Sequence, residues 1–312
     1  MLASSVETKS GGRTGAEQTL GVEWPTVGLS VVIYGLWAAT TYFHDRLAWP
    51  LLALAGGWVV AWHGSLQHEV IHGHPTRWRR LNTALGFAPL SLWLPFELYR
   101  RSHQAHHATE HLTDPEHDPE ARYLPASASR FRRLAATLQA TLLGRLVLGP
   151  AIEIGGFWLD EAGRLAGGEA DRRAIWFWHG LAAALVVAWL ALVCRMPLWL
   201  YGLCFVYPGA ALSLLRSFAE HRADPTPRRR VAVVERAPIL GLLFLHNNLH
   251  AAHHDRPGAP WHSLPGLYAR DRERLLSANG GLVYDGYGQV VRRFLFRPHD
   301  RAVYPASDGA TP

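Results

Sequence analysis

The chain has 312 residues, 49% of them hydrophobic, and a formal net charge of +6. Its 13 tryptophans and 10 tyrosines, with long apolar runs, suit one integral membrane domain and argue against a soluble basic nucleic-acid binder. The two cysteines, Cys194 and Cys204, lie in apolar runs and supply neither a disulfide framework nor a thiolate iron–sulfur motif.

Residues 1–23 are polar and rich in small residues, which predicts a disordered tail without a cleavable signal peptide. Apolar runs Val27–Phe43 and Leu47–Trp62 flank the turn His44-Asp45-Arg46 and approach the length that spans hydrocarbon, so they form an antiparallel hairpin. Leu81–Phe96 is interrupted by Pro89 and Pro95 and reads as a re-entrant or interfacial element buried against protein. Thr113–Pro125 is an acidic, proline-rich loop, and Phe131–Trp158 an interfacial helix. Ile175–Cys194 and Leu198–Leu215, joined by Arg195-Met196-Pro197, form a second hairpin. Ala237–His254 reads as one helix returning beneath the bundle.

The fold expected is therefore all-α, with four transmembrane helices in two hairpins and a His-rich helical cap. Its parts are a tail (1–23), a membrane domain (24–265) and a C-terminal extension (266–312). The hairpin turns hold only Arg46 and Arg195, whereas 13 arginines fall between Gly64 and Arg173 and 14 between Arg216 and Arg301. The positive-inside rule puts the His-rich side and both termini in the cytoplasm, at a bacterial-type inner membrane.

Nine of the 18 histidines fall in four places. His68 and His72 are spaced i, i+4. His103, His106 and His107 are spaced i, i+3, i+4, and His250, His253 and His254 repeat that pattern. His221 follows Glu220 at the end of the second hairpin. On helices such spacings put imidazoles on one face. Nine exceed what one ion can use, so the pattern predicts two metals. His74, at i+2 from His72, points elsewhere; His63, His111, His117, His246 and His262 lack matching spacing, and His44 and His179 fall on the wrong side or within a span. Glu110, Asp114, Asp118, Glu220 and Asp255 are candidate partners for ligand imidazoles.

His68-Glu-Val-Ile-His72 also matches the zinc metalloprotease signature, in which Glu69 would be general base. That reading leaves most of the spaced histidines idle. On the two-metal reading Glu69 accepts a hydrogen bond from an imidazole or faces away.

Taken together, H-x-x-x-H, H-x-x-H-H and H-x-x-H-H in this order resemble the integral-membrane fatty acid desaturase superfamily, over roughly Gly64 to Pro265. That superfamily includes acyl desaturases, acyl-chain hydroxylases, and carotenoid ketolases and hydroxylases. The resemblance implies that His68, His72, His103, His106, His107, His221, His250, His253 and His254 hold a non-haem di-iron centre, with O2 as co-substrate. It places Ser217 where acyl-CoA desaturases carry a helpful asparagine. Asn247, one turn before His250, and Glu220 are the other candidates for supporting contacts. The implied function is desaturation or hydroxylation of a lipid acyl chain, with carotenoid-ring oxidation as the alternative and an intramembrane zinc protease as the rival from another class. With no ferredoxin cysteine pattern, nucleotide-binding glycine motif or haem domain in the sequence, electrons are expected from an external ferredoxin- or rubredoxin-like donor.

Overall fold

The computed structural model describes residues 21–305. Residues 1–20 of the expected tail, and 306–312 of the C-terminal extension, lie outside it. The described chain is helical, apart from one pair of two-residue parallel strands, β1 (Val233–Val234) and β2 (Val283–Tyr284).

α1 (Trp24–Tyr42) and α2 (Trp49–Ile71) each start with proline inside the first turn, where a missing N–H costs nothing. The turn His44–Arg46 joins them, as the sequence predicts. Beyond its apolar run, α2 continues without a break to Ile71, so its scaffold carries His68 and brings His72 to its C-cap. α8 (Ala170–Ala188) runs on through a π turn as a rod, Ala170–Val193. α9 (Leu198–Tyr201), a second π turn and α10 (Tyr207–Glu220) form another, Leu198–Glu220. These two rods are long and apolar enough to cross a membrane by length and composition.

The second rod lies tightly on α2 because two glycines allow it. A Cβ at Gly56 would stand 2.6 Å from the Phe205 ring, and one at Gly57 2.7 Å from Pro208. Backbones that close leave α2 and α10 emerging side by side, and both carry histidines at that end.

Three expectations need correction. Leu81–Phe96 is not one element: α3 (Arg79–Phe87) stops, and a loop runs to Pro95, where α4 (Phe96–Ala108) begins. Prolines at 89 and 95 cannot continue a helix, though the loop is held by protein, with the Tyr201 hydroxyl donating to Leu90 O at 2.6 Å. Phe131–Trp158 breaks into α5 (Arg130–Leu138), α6 (Leu142–Val147) and α7 (Gly149–Ala166). Ser129 and Thr141 accept from backbone amides at the starts of α5 and α6, restarting the helix each time. Ala237–His254 divides into α11 (Pro238–Leu243) and α12 (His250–Asp255). Between them Leu245 and His246 take positive φ, and the His246 amide closes α11 on Gly241 O.

The described part of the C-terminal stretch packs into the same core. α13 (Leu264–Ala278) lies on α12. Tyr284, with Tyr287 and Val290 of α14 (Tyr287–Phe294), packs with Phe218 and Phe244. The chain then pairs Leu124 with the backbone of Ala302 and Tyr304, clamping the loop that follows α4.

Candidate metal centre

The structure brings all nine spaced histidines into two adjoining groups. One holds His68, His72, His103, His107 and His253; the other His106, His221, His250 and His254. In each group one donor atom per residue lies within 4.8 Å of all the others. The helices divide the boxes between groups: α4 sends His103 and His107 one way and His106 the other, while α12 sends His253 to the first and His250 and His254 to the second.

The outer nitrogens explain how the rings are aimed. His106 Nδ1 is 2.8 Å from Asp118 Oδ1, and His103 Nδ1 is 3.2 Å from Glu120. His221 Nδ1 lies 3.3 Å from Arg230 O. Asn247 Nδ2 donates to Glu220 Oε1 at 2.9 Å, so its Oδ1 accepts from His250 Nδ1 at 3.1 Å. Each partner is an acceptor, which puts the ring proton on Nδ1 and leaves a bare lone pair on Nε2.

Those lone pairs face one another. The Nε2 atoms of His221 and His250 are 2.9 Å apart, those of His250 and His254 3.1 Å, and those of His253 and His107 3.0 Å. His68 Nε2 is buried with no partner. Unprotonated nitrogens at such distances repel unless a cation lies among them. Two imidazoles at about 2.1 Å from one metal and at right angles would have nitrogens about 3.0 Å apart. The donor set therefore fits metal ions, and soft thiolates are absent from both groups.

Burial disfavours the charged form of most of these rings. It pulls His72 down to about 2, with His103, His107 and His74 adding to the effect, and His107 and His221 down to about 3. His106 is the exception: burial lowers it, but Asp118 and nearby carboxylates outweigh that and hold its pKa above the ordinary value. Loss of hydration raises Glu120, whose side chain is still 29% exposed, but His103 and His106 outweigh that and bring it down to about 2.

A cavity of about 400 Å³ opens on His103, His106, His221 and His250. Its walls include Trp93, Leu94, Leu98, Phe157 and Leu214. Arg216, half-buried on α10, also lines it and stands 3.2 Å from Glu220 Oε1.

Of the candidate supporting carboxylates, Asp118 and Glu220 reach the centre. Asp114 pairs with His117 and Asp255 with Arg274, and Glu110 is exposed. Ser217 touches no histidine of the centre: its hydroxyl donates to Leu214 O at 3.3 Å, the usual recourse of a serine inside a helix. The sequence reading missed Glu120, Arg216 and the carbonyl of Arg230. Glu120 stands two residues from Asp118 in the acidic loop, the one signal that pointed to it.

Glu69 faces away from both groups. It accepts the Trp261 N–H at 2.8 Å and lies 3.9 Å from His74 Nε2, while Glu23 takes His74 Nδ1 at 2.6 Å. Bonded to Glu23 through Nδ1, with Glu69 near its buried Nε2, His74 ties the start of α1 to the end of α2 and shares no donor with the centre. Glu69, so occupied, is not placed as general base for a zinc site at His68 and His72.

A profile of the fatty acid desaturase family matches residues 46–287, which takes in every histidine of both groups. The chain belongs to the fatty acid desaturase family. The desaturase profile begins just before α2 and ends at the start of α14, so the two histidine groups and the cavity all fall within it. Among curated proteins, the temperature-sensitive sn-2 acyl-lipid omega-3 desaturase (ferredoxin), chloroplastic, of Arabidopsis thaliana is 32% identical over 110 residues. That stretch is 35% of this chain and 24% of the plant protein. The matched stretch spans about a quarter of the plant protein's length, and family membership points towards oxidoreductase chemistry, for which the histidine groups suit iron.

Proposed function

We propose that the protein is an O2-dependent, non-haem di-iron oxidoreductase that desaturates a lipid acyl chain, with hydroxylation of the same chain as the neighbouring outcome. The observation that carries this is the meeting of nine inward-facing imidazole nitrogens with one largely apolar cavity. His68, His72, His103, His107 and His253 would hold one iron, and His106, His221, His250 and His254 the other. When bound, the iron pair supplies the activation of O2 that an unreactive C–H bond requires.

The chain's own residues do the rest. Asp118, Glu120, Asn247 and the Arg230 carbonyl hold the Nδ1 protons, so the Nε2 donors are fixed before metal or substrate arrives. Trp93, Leu94, Leu98 and Phe157 seat the alkyl chain and keep bulk water from the reacting carbon. Removing two hydrogens and reducing O2 to two waters takes two further electrons and two protons per turnover, which a ferredoxin- or rubredoxin-like donor supplies. The arginines of the His-rich side favour an acidic donor.

We place α1, the α2 rod up to Trp62, Ala170–Val193 and Leu198–Glu220 across the membrane as four spans. The outward exposure of Val31, Val32, Leu51, Leu54, Leu185 and Leu192 supports this, as does the arginine distribution, which sets the His-rich side in the cytoplasm.

The test is lipid and pigment profiling of a host expressing the chain or its His106→Ala variant, with metal analysis of both proteins. Expected are altered acyl chains with the parent alone and about two irons per chain. Unchanged acyl lipids beside oxidised carotenoids would move the substrate to pigment. One zinc per chain with proteolysis would overturn the reading.

A further inference from the structure

One wall of the cavity carries a charge that the centre does not use. Arg145, on the short helix α6, is buried and lines the cavity. Its Nη1 donates to Gln139 Oε1 at 2.6 Å and to Glu153 Oε1 at 2.9 Å. Its Nε is buried and finds no acceptor. A guanidinium N–H with no partner in a buried site bears the full loss of its hydration, so a charged donor left over there implies an acceptor that arrives from elsewhere.

The surroundings indicate what that acceptor is. Arg122 lines the same cavity, with its own donors spent on Phe218 O and Tyr123 Oη. The cavity's other carboxylates are engaged at the histidine end, Glu120 with His103 and Glu220 with Arg216 and Asn247, which leaves Glu153 to pair with Arg145. Glu153 is the outer member of its pair: its side chain is 44% exposed against 10% for Arg145. It lies on α7 beside Ile154 and Phe157, which also line the cavity, so the Arg145 end is where the cavity meets the outside. α7 turns Trp158 and Leu159 outward as well, as a helix lying against lipid would. A ligand entering from lipid would therefore meet an apolar wall and a buried cation together.

We propose that Arg145 anchors an anionic oxygen group at the end of the substrate's chain, so that this enzyme takes an amphiphile ending in a carboxylate or a phosphate. This rests on the oxidoreductase reading above and refines its substrate. The anion takes the Arg145 Nε–H and displaces Glu153 in part. The alkyl chain then runs from α7 past Phe157 and Leu214 to the wall formed by His103, His106, His221 and His250. Arg145 is a positioning residue: it fixes how far along the chain the reacting carbon lies.

Equilibrium binding to the purified full-length protein in detergent tests this without electrons or O2. The probes are palmitic acid, methyl palmitate and hexadecyl phosphate. The parent protein is expected to bind one or both anions at least about tenfold more tightly than the methyl ester, the scale of a charge-assisted hydrogen bond. Arg145→Met is expected to erase that preference and leave ester binding unchanged. Glu153→Gln, which frees Arg145 from its competitor, is expected to tighten anion binding severalfold, and because Glu153 is half-exposed this variant carries the test even if Arg145→Met fails to fold. Whichever anion binds more tightly names the head group. An ester that binds the parent protein as tightly as both anions do, or anion binding that Glu153→Gln leaves unchanged, would overturn the proposal. An acid that binds through Arg145 but is never oxidised by the reduced, iron-loaded protein would remove the reaction and leave this anchor standing.

Discussion

The two histidine groups are built differently. In the five-histidine group, four ligands come in pairs from α2 and α4, spaced i, i+4, and the helices themselves set their separation. In the four-histidine group, His106 and His221 come singly from α4 and the end of α10, and α12 is only six residues long. There, acceptors on the outer nitrogens do the aligning: Asp118 for His106, the Arg230 carbonyl for His221 and Asn247 for His250. Three of its four rings also line the cavity, against His103 alone from the larger group. The smaller group is therefore the more open to substrate and the more dependent on its supporting contacts.

The strongest test of that contrast is to remove one ligand from each group. His254→Ala leaves three imidazoles and is expected to cost one metal, taking iron from about two to about one per chain, and all measurable turnover. His68→Ala leaves four and is expected to retain both metals, one of them more weakly held. Equal metal loss in the two variants would erase the distinction.

Supporting contacts come next. Asp118→Asn is expected to lower metal affinity of the four-histidine group by about 10–100-fold, read by metal titration. Glu120→Gln should weaken the five-histidine group by less, since helical pairing holds four of its rings. The reverse order would show that carboxylate contact outweighs helix spacing. Asn247→Ala removes the neutral hydrogen bond to His250, worth about 1 kcal/mol, together with the donor to Glu220 that does not touch a ligand ring, so metal affinity should fall only about fivefold.

The smallest effect concerns the loop that serves both groups. His299 is packed on Tyr284 and Phe218 beside Arg122, next to the clamp on Leu124. Burial, with Arg122 and Arg222 nearby, pulls its pKa from 6.5 down to about 2. Below 6.5 the unfolded chain takes up a proton that the folded chain refuses, so His299 makes stability fall as pH drops from 6.5 towards 2, by at most about 1.4 kcal/mol per pH unit. His299→Asn is expected to make the slope of denaturant-measured stability shallower in that window. An unchanged slope would mean that the loop is held without His299.

Much of the centre was legible in the sequence because metal ligation leaves a local mark. An i, i+3, i+4 set such as His250, His253 and His254 needs no knowledge of the fold to be seen as one face. The two groups were not legible, since adjacent residues such as His106 and His107 go to different groups according to where α2, α10 and α12 arrive. Glu69 shows the same limit: its motif fits a general base, and only the positions of Trp261 and His74 show that it is engaged elsewhere. The breaks inside 131–158 and 237–254 escaped because apolar composition continues across them. The capping contacts of Ser129 and Thr141, and the left-handed turn at Leu245 and His246, decide those boundaries.

By itself the sequence determined the helical class, the hairpin turns, the loop after the second box and the nine histidines, all properties of spacing and composition within about 20 residues. The tertiary structure decided which ring joins which group, which carboxylates steady them, and that Arg145 faces the cavity with a donor to spare. Those are contacts between segments far apart in the chain, such as His106 with His254 and His68 with His253. They exist because Gly56 and Gly57 let α2 and the rod ending in α10 approach closely enough to bring their ends together.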